Sequence, residues 1–304
     1  MKRAFNLVVA FFAVLFIATG CSNVEKTVES TSNPIKPSLT YSNLVDKDSQ
    51  DQLRKYLKKA DIADEKIESL LKDINEYNKL VGDKVGLVKT GFKTINSFSP
   101  IYEDDKIAEI WQNQGLVGYN CRITTFRLLS DFIKVKNPKI DDTSMLFSDK
   151  EAIETSNVIP KEQENNFYSL FSYISTDDTD KVQTHLKAQQ DSWRDKGVSF
   201  ENKNASVISV VFNTNIEEKQ DTAQLFIGHI GILLKGDNGE YIFLEKLSFT
   251  DPYQMLIFKN KQEVNDYLVT KYDNDTVSKT APPFIMENAN LMKEYRPNLN
   301  KYKK

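Results

Sequence analysis

Apolar residues recur at helical spacing through the first half of the chain and at alternate positions through much of the second. Residues 42–60 predict a helix with Leu53, Tyr56, Leu57 and Ala60 on one face and Asp48 or Ser49 near its start. Residues 64–80 predict another, its stripe made of Ile67, Leu70, Leu71, Ile74, Tyr77 and Leu80. The Lys and Glu residues on the opposite faces read as solvated charge. Gly82, Gly86 and Gly91 mark a looped passage. A helix over 104–112 then offers Ile107, Ile110 and Trp111 for packing before Gly115 and Gly118 end it. Directly afterwards Gly118-Tyr119-Asn120-Cys121-Arg122 opens into a stripe of Ile123, Phe126, Leu129 and Ile133. That helix stops at Asn137-Pro138, because a residue before proline is pushed out of the α region.

Residues 139–165 read as loop and short helix, with Asp141-Asp142 as a turn rather than a calcium loop. A helix over 181–196 carries Val182, Leu186, Gln189 and Trp193, and His185 beside that stripe reads as a surface or core-edge histidine. From Val198 the period changes. Residues 205–212 and 223–227 are β-rich, and two further strands follow in 228–247. Residues 261–272 return to helix, and the Lys-rich tail after Arg296 reads as frayed. Helices first and an antiparallel sheet later make this an α+β chain.

The beginning is of a different character. Lys2 and Arg3 precede the almost wholly apolar run Ala4–Ile17, and Ala18-Thr19-Gly20 leads into Cys21. The run is short for a membrane span and ends at small residues, as a processed signal does. It resembles a bacterial lipoprotein signal, which implies a signal peptide over 1–20 and a lipid on Cys21. The protein would then sit on the extracytoplasmic face of the cell membrane, held to the bilayer by the acylated Cys21. Residues 21–40, rich in Ser, Thr and Asn with Pro34 and Pro37, read as a flexible tether. A single α+β domain is expected over 41–304.

Charge narrows the partners. The formal net charge is −3, and removing residues 1–20 takes Lys2 and Arg3 with it, leaving the mature chain more anionic. With no basic stripe interleaved with aromatics, nucleic acid is excluded as a partner. There are two cysteines. If Cys21 is acylated, Cys121 has no intramolecular disulfide partner. No cofactor is expected, since neither a phosphate-cradling glycine loop nor zinc-ligand spacing is present.

A cysteine in the first turn of a helix meets unpaired backbone N–H groups and the positive end of the helix dipole, which favour thiolate. The base comes from a predicted hairpin. Asp237-Asn238-Gly239 suits a three-residue loop closed by a glycine in the left-handed region. That loop pairs Gly236 with Glu240 and sets Glu245 opposite Gly231 and Leu247 opposite His229. His229 and Glu245 then share a face as diagonal neighbours, Cα atoms ~7–8 Å apart, with Gly231 leaving room between them. A two-residue Asn-Gly turn would reverse the parity and point Glu245 away.

The order of cysteine, then strand histidine, then acid on the next strand resembles the NlpC-type branch of the papain-like cysteine peptidases and amidases. The likeness covers Gly118–Phe132 and Gly228–Leu247. It implies a papain-like core, with Cys121 as nucleophile, His229 as base and Glu245 orienting it. Arg122 and Ile123 depart from the small residues that follow the family's cysteine, and residues 122–228 form a long insertion. The implied activity is hydrolysis of an amide or peptide bond near the cell wall, with the Cys121 N–H and either Gln114 or Asn120 stabilising the oxyanion. Trp111, Tyr119, Phe249 and Tyr253 are candidates to line a cleft. Over a longer span, Tyr41-Ser42-Asn43-Leu44, Gly118 to Arg122, Glu245-Lys246-Leu247 and Asp251-Pro252-Tyr253-Gln254 resemble bacterial lipoproteins grouped as domain of unknown function 4300. That resemblance implies no reaction. The rival expectation is a surface lipoprotein that binds a wall component or partner protein without turnover, its Cys121 buried and far from His229.

Overall fold

The computed structural model describes residues 36–114, 118–214, 222–276, 280–298 and 300–301. The signal over 1–20, Cys21 and the tether up to residue 35 lie outside them, as do Gly115 and residues 302–304. In chain order the elements are β1 (Leu39–Ser42), α1 (Lys47–Lys59), α2 (Asp64–Val81), β2 (Lys93–Ile95), α3 (Asp104–Gln114) and α4 (Cys121–Leu129). Next come β3 (Ile133–Val135), α5 (Phe147–Ser156), α6 (Lys161–Phe171), β4 (Ile174–Asp177), α7 (Val182–Asp195) and β5 (Val198–Phe200). The chain finishes with β6 (Ala205–Thr214), β7 (Thr222–Lys235), β8 (Tyr241–Lys246), β9 (Tyr253–Phe258), α8 (Lys261–Tyr272), β10 (Phe284–Glu287) and β11 (Asn290–Leu291). This is an α+β fold built on an antiparallel sheet, with strand order β11-β10-β6-β7-β8-β9-β1-β2 and β4 alongside β7.

Alternation along the strands separates two cores. Val207, Val211, Ile230, Ile232, Leu234, Ile242 and Leu244 pack with buried side chains of α1, α2 and α4. Ile208, Val210, Leu233, Phe243 and Leu256 pack instead on Val264, Tyr267 and Leu268 of α8. The helical stripes named from sequence are buried as expected, Leu53, Tyr56 and Leu57 on α1 and Ile67, Leu70, Leu71, Ile74 and Tyr77 on α2.

Several boundaries differ. The expected tether ends in β1, which pairs with β2 and β9 and whose Leu39 is buried, so residues 39–40 are sheet. The N-cap of α1 is Asp46, whose carboxylate accepts from the Ser49 N–H. The cysteine helix ends at Leu129 rather than at Asn137-Pro138, because Ile133–Val135 pairs with β5. Residues 139–165 contain the whole of α5 and the start of α6. His185 is fully buried rather than at a core edge, its ring held by Thr176 Oγ1 (3.0 Å) and the Thr179 carbonyl (2.8 Å). The tail beyond Arg296 is tied down by Arg296–Asp266 and Lys301–Asp273 pairs.

The largest departure is β7. The two β-rich runs at 223–227 and 228–234 are one strand with a bulge in it. His229 pairs with Val210 while Ile227 pairs with Val211, leaving Gly228 as the extra residue. A bulge shifts the parity of a strand by one, so Leu225 and Ile227 face one core and His229 faces the other. A Cβ on Gly228 would lie 2.5 Å from two carbons of the Phe212 ring, so the bulge needs glycine for close approach.

Candidate active site

Asn120 begins the site. Its backbone is extended (φ −95°, ψ −174°), and its side-chain oxygen accepts from the Ile123 N–H at 3.0 Å, capping α4 so that Cys121 is the first helical residue. Asn120, one of the two oxyanion candidates, already uses part of its hydrogen-bonding capacity here. Its carbonyl is committed to the cap and its amide donates to Asp149 at 2.8 Å, in a buried setting. The side chain of Gln114, the other candidate, lies outside the described residues.

The hairpin register is the one expected from the Asp-Asn-Gly loop. Gly231 pairs with Glu245 and Lys235 with Tyr241, the Gly236 N–H donates to the Glu240 carbonyl at 2.8 Å, and Gly239 is left-handed at φ +87°. Glu245 Oε2 therefore meets His229 Nε2 at 2.6 Å. Its other oxygen accepts from the Tyr267 hydroxyl of α8. The room beside Gly231 is occupied by the Phe243 ring, a packing reason for the glycine that the sequence did not reveal.

Cys121 and His229 approach from opposite faces of the sheet. They meet because the β7–β8 ladder starts only at Gly231–Glu245, leaving His229 and Ile230 beyond the last pair. The start of α4 is received there, which sets the Cys121 sulfur within interaction range of the His229 ring and the Ile230 N–H. With Nε2 held by Glu245, Nδ1 is the ring nitrogen left for the thiol. Tyr272 stacks on the imidazole from α8, ring centroids 5.0 Å apart at 24°. So the structure brings Cys121, His229 and Glu245 into one connected chain.

The electrostatics favour an ion pair. Burial alone would push the Cys121 thiol up, but the His229 hydrogen bond and the His229 and Arg122 charges outweigh it and hold the thiol below its ordinary value. Burial opposes charging His229, while its bonds to Cys121 and Glu245 raise it to about 9. Glu245 is held below the usual carboxylate range against its burial, chiefly by the Lys271 charge and the His229 bond. Both shifts stabilise thiolate beside imidazolium.

Sequence reasoning missed three supports. Arg122 pairs with Asp149 of α5, a residue in the passage expected as loop and short helix. Lys246 is buried with Nζ donating to the carbonyls of Ser248 (2.9 Å), Phe249 (3.3 Å) and Asp251, and burial lowers its pKa to about 7. Lys271 of α8, a residue that sequence reasoning did not single out, supplies the charge that lowers Glu245. Isolated charged residues, whether on a helix as Arg122 and Lys271 or at a strand end as Lys246, carry no sign of burial, so no sequence signal marked them.

A cleft of about 580 Å³ adjoins the cysteine loop. Trp111, Tyr119, Phe249 and Tyr253 all line it, together with Tyr77, Gly118 and Lys246. Lys246 Nζ lies 4.3 Å from the Tyr77 ring centre and 5.0 Å from that of Tyr253. The Tyr77 hydroxyl and the Trp111 indole N–H both donate to the Thr250 carbonyl, at 2.7 and 3.2 Å, fixing both rings. Cys121 itself is 4% exposed and is not part of the cleft wall. Among the described residues no cluster of His, Cys, Asp and Glu is arranged to hold a metal, and no helix is long and apolar enough to cross a membrane.

The model of a family described as domain of unknown function (DUF4300) matches residues 40–292, the span from β1 to the end of the sheet. The chain belongs to this family. The DUF4300 match contains Cys121, His229, Glu245 and the whole cleft. No curated protein and no solved structure matches the chain.

Proposed function

We propose that this DUF4300 protein is a papain-like cysteine hydrolase that cleaves an amide or peptide bond near the cell wall. The observation that carries the reading is the juxtaposition of Cys121 with a His229 ring that is itself hydrogen-bonded to Glu245, with a depressed thiol and a raised imidazole. In the proposed cycle the Cys121 thiolate attacks the carbonyl carbon and the carbonyl electron pair moves to oxygen. The N–H of Cys121, which has no partner inside the helix, donates to that oxyanion. Collapse expels the amine, which takes its proton from the His229 imidazolium, and leaves a thioester. His229 then takes a proton from water, hydroxide adds to the thioester carbonyl, and collapse expels the Cys121 thiolate beside the imidazolium as the carboxylic acid departs. The aromatic cleft beginning at Gly118-Tyr119 is where a peptide would lie on its way to the thiol.

The location belongs to the same proposal. Cys21 carries the lipid, residues 1–20 are removed, and the enzyme is held on the extracytoplasmic face of the membrane. Cys21→Ala should move the protein from the membrane fraction to the soluble fraction.

One observation favours a non-catalytic reading, in which the cleft binds a wall component or partner. Cys121 is buried and outside the cleft wall, although it lies against His229, from which the binder reading expects it to be far. Iodoacetamide labelling followed by mass spectrometry separates the two. The enzyme requires rapid alkylation of Cys121 at neutral pH, slowed at least tenfold or so when His229→Ala removes the base. An inert thiol in the wild type would sink it.

A further inference from the structure

Arg122 stands where the resembling family has a small residue, and the structure gives it a defined task. Its Nε and Nη2 donate to the two oxygens of Asp149 at 3.0 and 2.6 Å. Its remaining Nη1 donates to the Ile227 carbonyl at 3.2 Å, the backbone group immediately before the Gly228 bulge. Asp149 also receives the Asn120 amide at 2.8 Å, so the residues on both sides of Cys121 are bonded to one carboxylate that is 1% exposed. One side chain thus links the start of α4, helix α5 and the strand segment whose bulge turns His229 toward the thiol.

We propose that Arg122 is a positioning residue, clamping the nucleophile's helix to the bulged strand so that the Cys121 sulfur and the His229 imidazole keep hydrogen-bond contact. This rests on the Cys–His reading above. A guanidinium suits the task and an ammonium does not. Three acceptors at fixed angles, two on one carboxylate and one on a carbonyl behind it, need a rigid fork. The charge adds to the effect, since Arg122 is one of the cations that act on the thiolate. The others are His229 of β7, Lys246 of β8 and Lys271 of α8, with the Tyr272 hydroxyl also in range.

Two variants separate positioning from mere support. Arg122→Lys keeps the charge and loses the fork. The double variant Arg122→Met/Asp149→Asn removes both charges of the buried pair together, an exchange that proteins often accept without loss of stability, while an amide oxygen at position 149 still accepts the Asn120 amide. Folding is followed by circular dichroism and thermal unfolding, and the site by the pH profile of Cys121 alkylation. The site is also read from the imidazole NMR signals, which are simple because the chain has two histidines. The expected result is that the double variant melts with the wild type, yet Cys121 alkylates about tenfold more slowly at pH 7, the loss of about one pKa unit of thiolate stabilisation. The His229 signals shift while those of His185 stay. Wild-type alkylation and unmoved His229 signals in a folded double variant would overturn the proposal. So would a defect in Arg122→Lys that tracks its loss of stability and vanishes in the double variant. The NMR arm keeps the two readings apart. A wild-type thiol that proves inert refutes the hydrolase, whereas the clamp stands or falls on whether His229 moves.

Discussion

Gly228→Ala tests how the bulge sets the position of the base. Gly228 is not left-handed, so the cost of a side chain is steric rather than conformational. The new methyl carbon would sit 2.5 Å from Cδ2 and Cε2 of Phe212 and 3.2 Å from the Phe226 ring. Carbon–carbon contacts settle at about 3.5–4.0 Å, so the Phe212 ring must retreat by about 1 Å. It is not free to do so. Phe212 stacks on Phe226 at 5.3 Å and 18°, Phe226 stacks on Tyr173 at 4.8 Å, and Tyr272 stands edge-on to Phe212 at 6.0 Å. Overpacking of this kind costs about 1–3 kcal/mol, which for a domain of this size lowers Tm by roughly 2–10 °C. The consequence for the site is larger than the loss of stability, because Tyr272 is also the ring stacked on His229. A displacement of about 1 Å at a reacting pair can cost about 10²-fold. Alkylation of Cys121 at pH 7 should therefore fall by one to two orders of magnitude in a protein that still unfolds cooperatively. Phe212→Leu in the same chain makes room for the methyl and should return most of both losses. If Gly228→Ala alkylates at the wild-type rate, or Phe212→Leu restores the melting point without the reactivity, the proposed path from bulge to base through Phe212 and Tyr272 is wrong.

Other outcomes follow from the same geometry. Glu245→Gln keeps the volume but removes the charged partner of His229, worth about 1.5–3 kcal/mol. The imidazolium should titrate one to two units below its wild-type value of about 9, measured by NMR. Hydrolysis, which needs imidazolium to protonate the leaving amine, should fall above about pH 9 in the wild type and at correspondingly lower pH in Glu245→Gln. Glu245 has a folded pKa below its ordinary value, so its stabilising contribution is present above that ordinary value and is lost as pH falls through the folded one. Acid unfolding monitored by fluorescence should show this loss in the wild type and lack that component in Glu245→Gln. Lys246→Met leaves the Ser248, Phe249 and Asp251 carbonyls without their donor and should lower stability by about 1–3 kcal/mol in urea titrations. An unchanged midpoint would mean that the loop after β8 is held by other contacts.

The sequence by itself determined the elements whose signals are local. Stripes at a 3.6-residue period placed α1, α2 and α7, because a helix buries one face whatever packs on it. The Asp237-Asn238-Gly239 loop determined the register of β7 against β8, since loop length and a left-handed glycine fix which residues face each other. Cys121, His229 and Glu245 could be named on those grounds alone. What the chain did not disclose depends on partners distant in sequence. β1, β2, β4 and β10 are short strands that exist through their neighbours in the sheet, and α4 ends early because β5 claims Ile133–Val135. The bulge at Gly228 is invisible as a pattern, yet it reverses the face on which His229 stands. Arg122, Lys246 and Lys271 look like surface charges until the fold buries them, and only then do they govern the thiol, the loop beside it and the acid behind the base. Local patterning chose the candidate groups. Long-range pairing, through one extra residue in one strand, decided that they meet.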